Sequence, residues 1–382
     1  MNISADPSEP LRVVQLLHTV AHGGIETILI NWLRHLDPRR VRTTLVVFAN
    51  PGGTERAFVD AAAARGIPVR TIPWARTKPV LRAAAALTRI LREVNAQIVH
   101  THNVYAELVG YIAARRVGAK VLTTQYVWAD FGWKRNVQQW VSARLIRRFD
   151  LVTSQCAATM RETIRRGVPE SRQKILISGF EPATSFLSTA ERAERRTREG
   201  LSDDHVVLVN LARLYPEKAQ GFLLRAFRRI LDARPHARLW IFGIGPLEAE
   251  LRALCTELGL DDAVRWLGFS HDPHPTLQLA DIMVHPSYAE GVPLALCSGM
   301  MASLPIVATA VGGVPEVVLP GRTGVLVPPR DETAFVEQCT RMIDDAHERR
   351  RLGAGGRTFV ETEYTLEIAA SQLIATYQEL VR

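Results

Sequence analysis

The chain has 382 residues, 47% of them hydrophobic and 23% charged, which excludes a disordered polymer and points to two domains of ordinary size. Its net charge of +8 is uneven: residues 1–180 carry 26 Lys and Arg against 12 Asp and Glu, and the rest carry 21 against 27, giving about +14 and about −6. A basic first half suits an anionic partner, whereas four scattered Cys without a CxxC pair exclude a disulfide frame and a zinc site and fit a reducing compartment.

The start, MNISADPSEP, is acidic and proline-bearing where a secretory leader is basic and then apolar, so a cytoplasmic protein is expected. Strand-like VVQLLH (13–18) leads into HGGIE (22–26) and then the helical window ETILINWLRHL (26–36). Gly23 and Gly24 would let backbone approach a phosphate or an acceptor. TTLVVFA (43–49), AQIVHTH (96–102), KVLTTQY (120–126) and DLVTSQ (150–155) continue the strands, with helix-length segments between. His18, His22, His100 and His102 gather at strand ends without a carboxylate or Cys at ligand spacing, so no metal is expected. They read as cleft polar groups or core histidines, with His22 and His102 the two candidates to touch an acceptor.

Residues 133–149, WKRNVQQWVSARLIRRF, carry Lys134, Arg135, Arg144, Arg147 and Arg148 with Trp133 and Trp140 and no acid. This is either an amphipathic helix lying on anionic lipid or a solvated helix face. No helix-turn-helix, RNP-like or zinc-finger pattern supports nucleic acid.

The charged run 191–204 marks a linker or the first helix after one, and the alternation then restarts with VVLVNLAR (206–213), ARLWIFG (237–243), AVRWLG (263–268), DIMVHP (281–286) and LPIVATA (304–310). Such alternation predicts two doubly wound α/β domains facing a central cleft, residues 1–185 and 186–364, with 365–382 a terminal helix that can pack back on the first. The uncharged stretch 291–315 is long enough to cross a bilayer, but its three Pro and four Gly make it a buried helix and a buried parallel strand.

Within NLARLYPEKAQGFLLRAF (210–227), Arg213 and Lys218 sit at a strand's carboxyl end beside a helix start. They are either a diphosphate grip or two solvated loop charges. FGIGPLEAEL (242–251) places Gly243 and Gly245 in a strand-to-helix turn, either part of a donor-binding loop or only a tight turn. In SYAEGVPLAL (287–296), Glu290 precedes the backbone N–H groups that open a helix, either to hold a sugar or simply to sit favourably in the helix dipole. GGVPEVVLPGRTGVLVPPRD (312–331) adds a Gly-rich loop and a short strand, with Glu316 a loop-fixing or ligand residue.

These motifs, in this order and over almost the whole chain, resemble family four of the retaining glycosyltransferases, the two-Rossmann-domain GT-B type. GGIETILINWLRHLD is most similar to enzymes of capsule, exopolysaccharide and lipopolysaccharide assembly. The resemblance implies a nucleotide-sugar donor on the second domain and a glycan, lipid-linked or small-molecule acceptor on the first. Arg213 and Lys218 would hold the diphosphate, Glu290 a sugar hydroxyl, and Gly291, Val292, Pro293 and Leu294 would border the donor. Transfer would be metal-independent, without a resident cofactor, by front-face attack in which the leaving phosphate takes the proton.

Two positions depart from the family pattern. Ser298 stands where a second Glu usually bonds the ribose, and Gln125 stands where a donor-contacting His is frequent. The expectation is an altered donor site in an active enzyme. The alternatives are a silent binding protein on the same scaffold and a nucleotide-sugar epimerase, which would need a second sugar-flanking carboxylate.

Overall fold

A computed structural model of the chain describes residues 9–19, 24–128 and 132–382, with the side chains of residues 134 and 135 outside that description. The chain forms two compact units, Met1–Gly179 with Leu366–Arg382, and Phe180–Thr365.

The first unit alternates β1 (Leu11–Leu17), α1 (Gly24–His35), β2 (Val41–Ala49), α2 (Arg56–Ala63), β3 (Val69–Pro73), α3 (Val80–Glu93), β4 (Ile98–Thr101), α4 (Val104–Val117), β5 (Lys120–Gln125), α5 (Trp133–Ile146), β6 (Leu151–Ser154), α6 (Ala157–Arg165) and β7 (Gln173–Ile175). All its strands pair in parallel, in the order β3-β2-β1-β4-β5-β6-β7. Central strands are buried on both faces, as Val13, Val14, Leu16 and Leu17 are, which is why they read as unbroken apolar runs. The edge strands β3 and β7 carry no such run, because exposed Arg70, Thr71 and Ile175 take part of their length, and sequence periodicity missed both.

The second unit comprises α7 (Thr189–Arg198), β8 (Val206–Leu211), α8 (Gln220–Ala233), β9 (Ala237–Phe242), α9 (Glu248–Glu257), β10 (Val264–Gly268), α10 (His274–Leu277), β11 (Ile282–His285), α11 (Leu294–Met301), β12 (Ile306–Thr309), α12 (Val314–Val317), β13 (Gly324–Val327), α13 (Glu332–Asp344) and α14 (Ala346–Thr362). Its parallel sheet runs β10-β9-β8-β11-β12-β13. In each unit the strand order reverses once, between β1 and β4 and between β8 and β11, and a doubly wound sheet binds ligands outside the strand carboxyl ends at such a reversal.

The charged run, expected as a linker or the first helix after one, is α7, the first helix of the second unit. Ser188 and Glu191 close its N-terminus as a reciprocal capping box. Arg192 and Arg196 then grip Asp281 at 2.7 and 2.9 Å. The division consequently falls at Gly179, ahead of the expected residue 185. The last helix, α15 (Leu366–Val381), is part of the first unit, where the Tyr377 hydroxyl meets Gln15 Nε2 at 2.6 Å and His100 Nδ1 at 2.8 Å. Residues 291–315 build α11 and β12, and no helix among the described residues is long and apolar enough to cross a membrane.

Candidate active site

The two strands flanking the reversal in the second unit deliver its chemistry. After β8 the chain passes Arg213, makes a tight turn over Pro216–Lys218 and enters α8 through Ala219 at φ +57°. After β11 it passes His285 and Ser287 to Glu290, just ahead of α11. Lys218 Nζ donates to Glu290 Oε1 at 2.5 Å, and His285 Nε2 donates to the same oxygen at 2.7 Å. Among the described residues Oε2 has no protein partner, and it is not one of the fully buried orphaned atoms, so it is the oxygen open to a ligand.

Burial pushes the Glu290 carboxyl up, but attraction and hydrogen bonding from His285, followed by those from Lys218, outweigh it and pull it down to about 2. Glu290 is therefore a nearly buried, fully ionised acceptor at any physiological pH. His285 has its own orphan: Nδ1 is buried without a hydrogen-bond partner, while the Ser287 hydroxyl lies 3.1 Å from Nε2.

Backbone holds this group in place. Tyr288 N donates to Glu217 O at 2.8 Å, tying the two loops together. A Cβ on Gly312, at φ +54°, would sit 1.8 Å from Glu290 O, and Gly313 N donates to Gly291 O at 2.8 Å, so the GGVPE loop lies directly on the Glu290 turn. Gly243 and Gly245 do the same for Arg213: their Cβ atoms would fall 1.9 Å from Ala212 O and 2.3 Å from Leu214 O. These two glycines let the turn after β9 pack closely on the Arg213 loop. Val292 and Pro293 are buried, and beyond them Leu296 N donates to Pro293 O at 3.0 Å, leaving Leu294 and Ala295 as the N–H groups at the α11 start without an intrahelical acceptor.

Arg213 is 61% exposed, stacks 4.6 Å over Tyr215 and reaches Glu217 at 3.6 Å. Ser298 donates back to Leu294 O within its own helix, at 3.3 Å. Glu316 is exposed on α12. Sequence reasoning missed His285, whose only signal was a histidine closing an otherwise apolar strand five residues before Glu290.

In the first unit, His22 and Gly23 lie outside the described residues, and Gly24 opens α1 with nothing within 4 Å of where a Cβ would be. The acceptor reading of His102 needs correction. It is fully buried, Nε2 donates to Gln15 Oε1 and Nδ1 accepts from the Tyr126 hydroxyl, both at 2.8 Å, and burial pulls it down to about 3. β4 is an interior strand, so His100 and His102 are neutral core histidines in a hydrogen-bonded network reaching α15. Gln125 is almost as buried, and its amide donates to Glu107 Oε1 at 2.6 Å.

Residues 23–179 match the family model described as glycosyl transferase 4-like domain, and residues 205–345 match glycosyl transferases group 1. The chain belongs to the family-four-type glycosyltransferases. A GDP-mannose-dependent monoacylated alpha-(1-6)-phosphatidylinositol monomannoside mannosyltransferase of Corynebacterium glutamicum is 28% identical over 92% of this chain and 93% of that protein. A D-inositol 3-phosphate glycosyltransferase of Streptomyces scabiei is 26% identical over 89% and 83%. The crystal structure of Anabaena Alr3699/HepE in complex with UDP superimposes with a TM-score of 0.85 at 21% identity, covering 97% of this chain and all of that one, which shows the shared GT-B fold. This glycosyltransferase thus has two Rossmann-like units.

Proposed function

We propose that this glycosyltransferase takes its sugar from a nucleotide diphosphate donor bound by the second unit, with Lys218, His285 and Glu290 marking where diphosphate and sugar meet. The observation that carries this reading is the pairing of Lys218 with one oxygen of a charged Glu290 while the other stays open, at the strand ends beside the sheet reversal. An arriving diphosphate competes for Lys218, and exposed Arg213 adds a bidentate cation. Glu290 Oε2 accepts from a sugar hydroxyl, and the α11 start offers backbone N–H groups.

Transfer then proceeds with retention. The bond from the anomeric carbon to the leaving phosphate oxygen breaks as the acceptor hydroxyl bonds on the same face, and that phosphate oxygen takes the hydroxyl proton. Two protein cations stabilise the diphosphate charge, so the step needs neither an enzymatic nucleophile nor a metal.

A relative named for GDP-mannose, and a fold neighbour bound to UDP, make guanosine and uridine diphosphate sugars the first donors to try. The basic first half favours an anionic acceptor, in keeping with relatives named for inositol phosphate and phosphatidylinositol mannoside substrates. Work at the cytoplasmic face of an anionic membrane suits the same charge.

Thermal midpoints across a panel of nucleotide sugars test the donor reading, since ligand bound only to the folded state raises apparent stability with the logarithm of its excess. One donor is expected to raise the midpoint, and Arg213→Ala to abolish most of that rise. Equal rises in both proteins, or none with any donor, would overturn the assignment of the cations.

A further inference from the structure

Helix α5 inverts the usual logic of burial. Its inward face carries the small residues Ser142 and Ala143 with Ile146, whereas Trp133, Val137 and Trp140 are 74%, 54% and 55% exposed. These three recur at helical spacing and so form one outward stripe. The orientation is fixed from within: the Ser142 hydroxyl donates to buried Glu107 Oε2 at 2.5 Å, Gln138 donates to the Tyr105 hydroxyl at 3.2 Å, and Ile146 is seated in the core. Turning the tryptophans inward would break all three anchors.

Cations border the stripe. The Arg144 guanidinium lies 3.6 Å over the Trp140 ring, Arg148 is exposed, and no Asp or Glu occurs from Trp133 to Phe149. Lys78, just ahead of α3, sits 4.9 Å from the Tyr105 ring of α4, whose hydroxyl Gln138 reaches from α5. Exposed large apolar groups gathered at one place mark an interaction site.

We propose that the α5 stripe is a docking surface for an anionic lipid bilayer. Tryptophan rings favour the boundary between headgroups and acyl chains, and arginines beside them meet lipid phosphates. Charge complementarity selects this occupant. A second copy would bring the same acid-free cationic helix against itself, with like charges facing. The proposal is independent of which nucleotide sugar is used.

The test is co-sedimentation of the full chain with vesicles of phosphatidylcholine alone and of phosphatidylcholine with phosphatidylglycerol, at low and high salt. Binding is expected only to the anionic vesicles, weakened by salt, with a blue shift in tryptophan emission. Both Trp133→Ser/Trp140→Ser and Arg144→Glu/Arg148→Glu should reduce binding by about tenfold or more. Their thermal midpoints should stay at that of the parent, since the replaced side chains are exposed. Failure to bind anionic vesicles, or equal binding by the variants, would overturn the proposal. So would a vesicle-free dimer of the parent that the tryptophan variant loses, because the stripe would then be a self-association surface.

Discussion

Glu290 combines two properties that rarely coexist, near-complete burial and a carboxyl held at about 2. His285 and Lys218 explain the combination, and the pH dependence follows in sign. A carboxyl whose folded value lies below its ordinary 4.5 stabilises the fold fully above that pH and loses the contribution as pH falls towards 2. The urea-unfolding gap between the parent and Glu290→Gln should therefore be widest above about pH 5 and shrink on acidification. A gap that held constant across that range would remove the depressed carboxyl. In transfer assays the same variant should lose on the order of 10- to 100-fold in kcat/KM, the worth of one charge-assisted hydrogen bond to the sugar. Ser298 allows the converse experiment. Ser298→Glu installs the carboxylate usual in the family, where the hydroxyl now only bonds Leu294 O. It should tighten nucleotide binding in calorimetric titration by roughly 1–3 kcal/mol.

At the scale of elements, glycines separate support from access. Gly243→Ala meets both a φ of +128° and a carbonyl oxygen 1.9 Å from the new Cβ. It should cost more than about 2 kcal/mol in denaturant unfolding and, by displacing the Arg213 loop, weaken donor binding as well. Gly24→Ala meets nothing within 4 Å, so its stability should stay within about 0.5 kcal/mol of the parent. A loss of transfer in that stable variant would indicate a ligand passing close to the α1 start. The α7 segment illustrates how an element escapes its composition: a run almost without apolar residues is a stable helix because its cap, and two arginines on one carboxylate, supply what an apolar face normally would.

For the whole molecule, the decisive feature is that the first unit is completed by the end of the chain. Leu366, Leu373, Ile374 and Tyr377 of α15 are buried, and Tyr377 partners both Gln15 and His100. Truncation after Thr365 would expose apolar surface and orphan polar groups in that unit. Scanning calorimetry should accordingly show one transition shifted well down, or lost, and the other near its original temperature. A uniform shift of both would mean that the units unfold as one.

The sequence by itself determined the two parallel sheets, the Gly-rich loops and the placing of Arg213, Lys218 and Glu290 in the loops that follow strands. Strand periodicity and turn composition are local properties, written within about ten residues. Partnership is not local. Lys218 and Glu290 are 72 residues apart, and they meet because β8 neighbours β11, a pairing that only strand order decides. The same reason explains the surprises. His285 meets Glu290, and His102 is enclosed against Gln15, through what packed against them, and the tryptophans of α5 were left outside because the Ser142 side of the helix was the one that fitted the core.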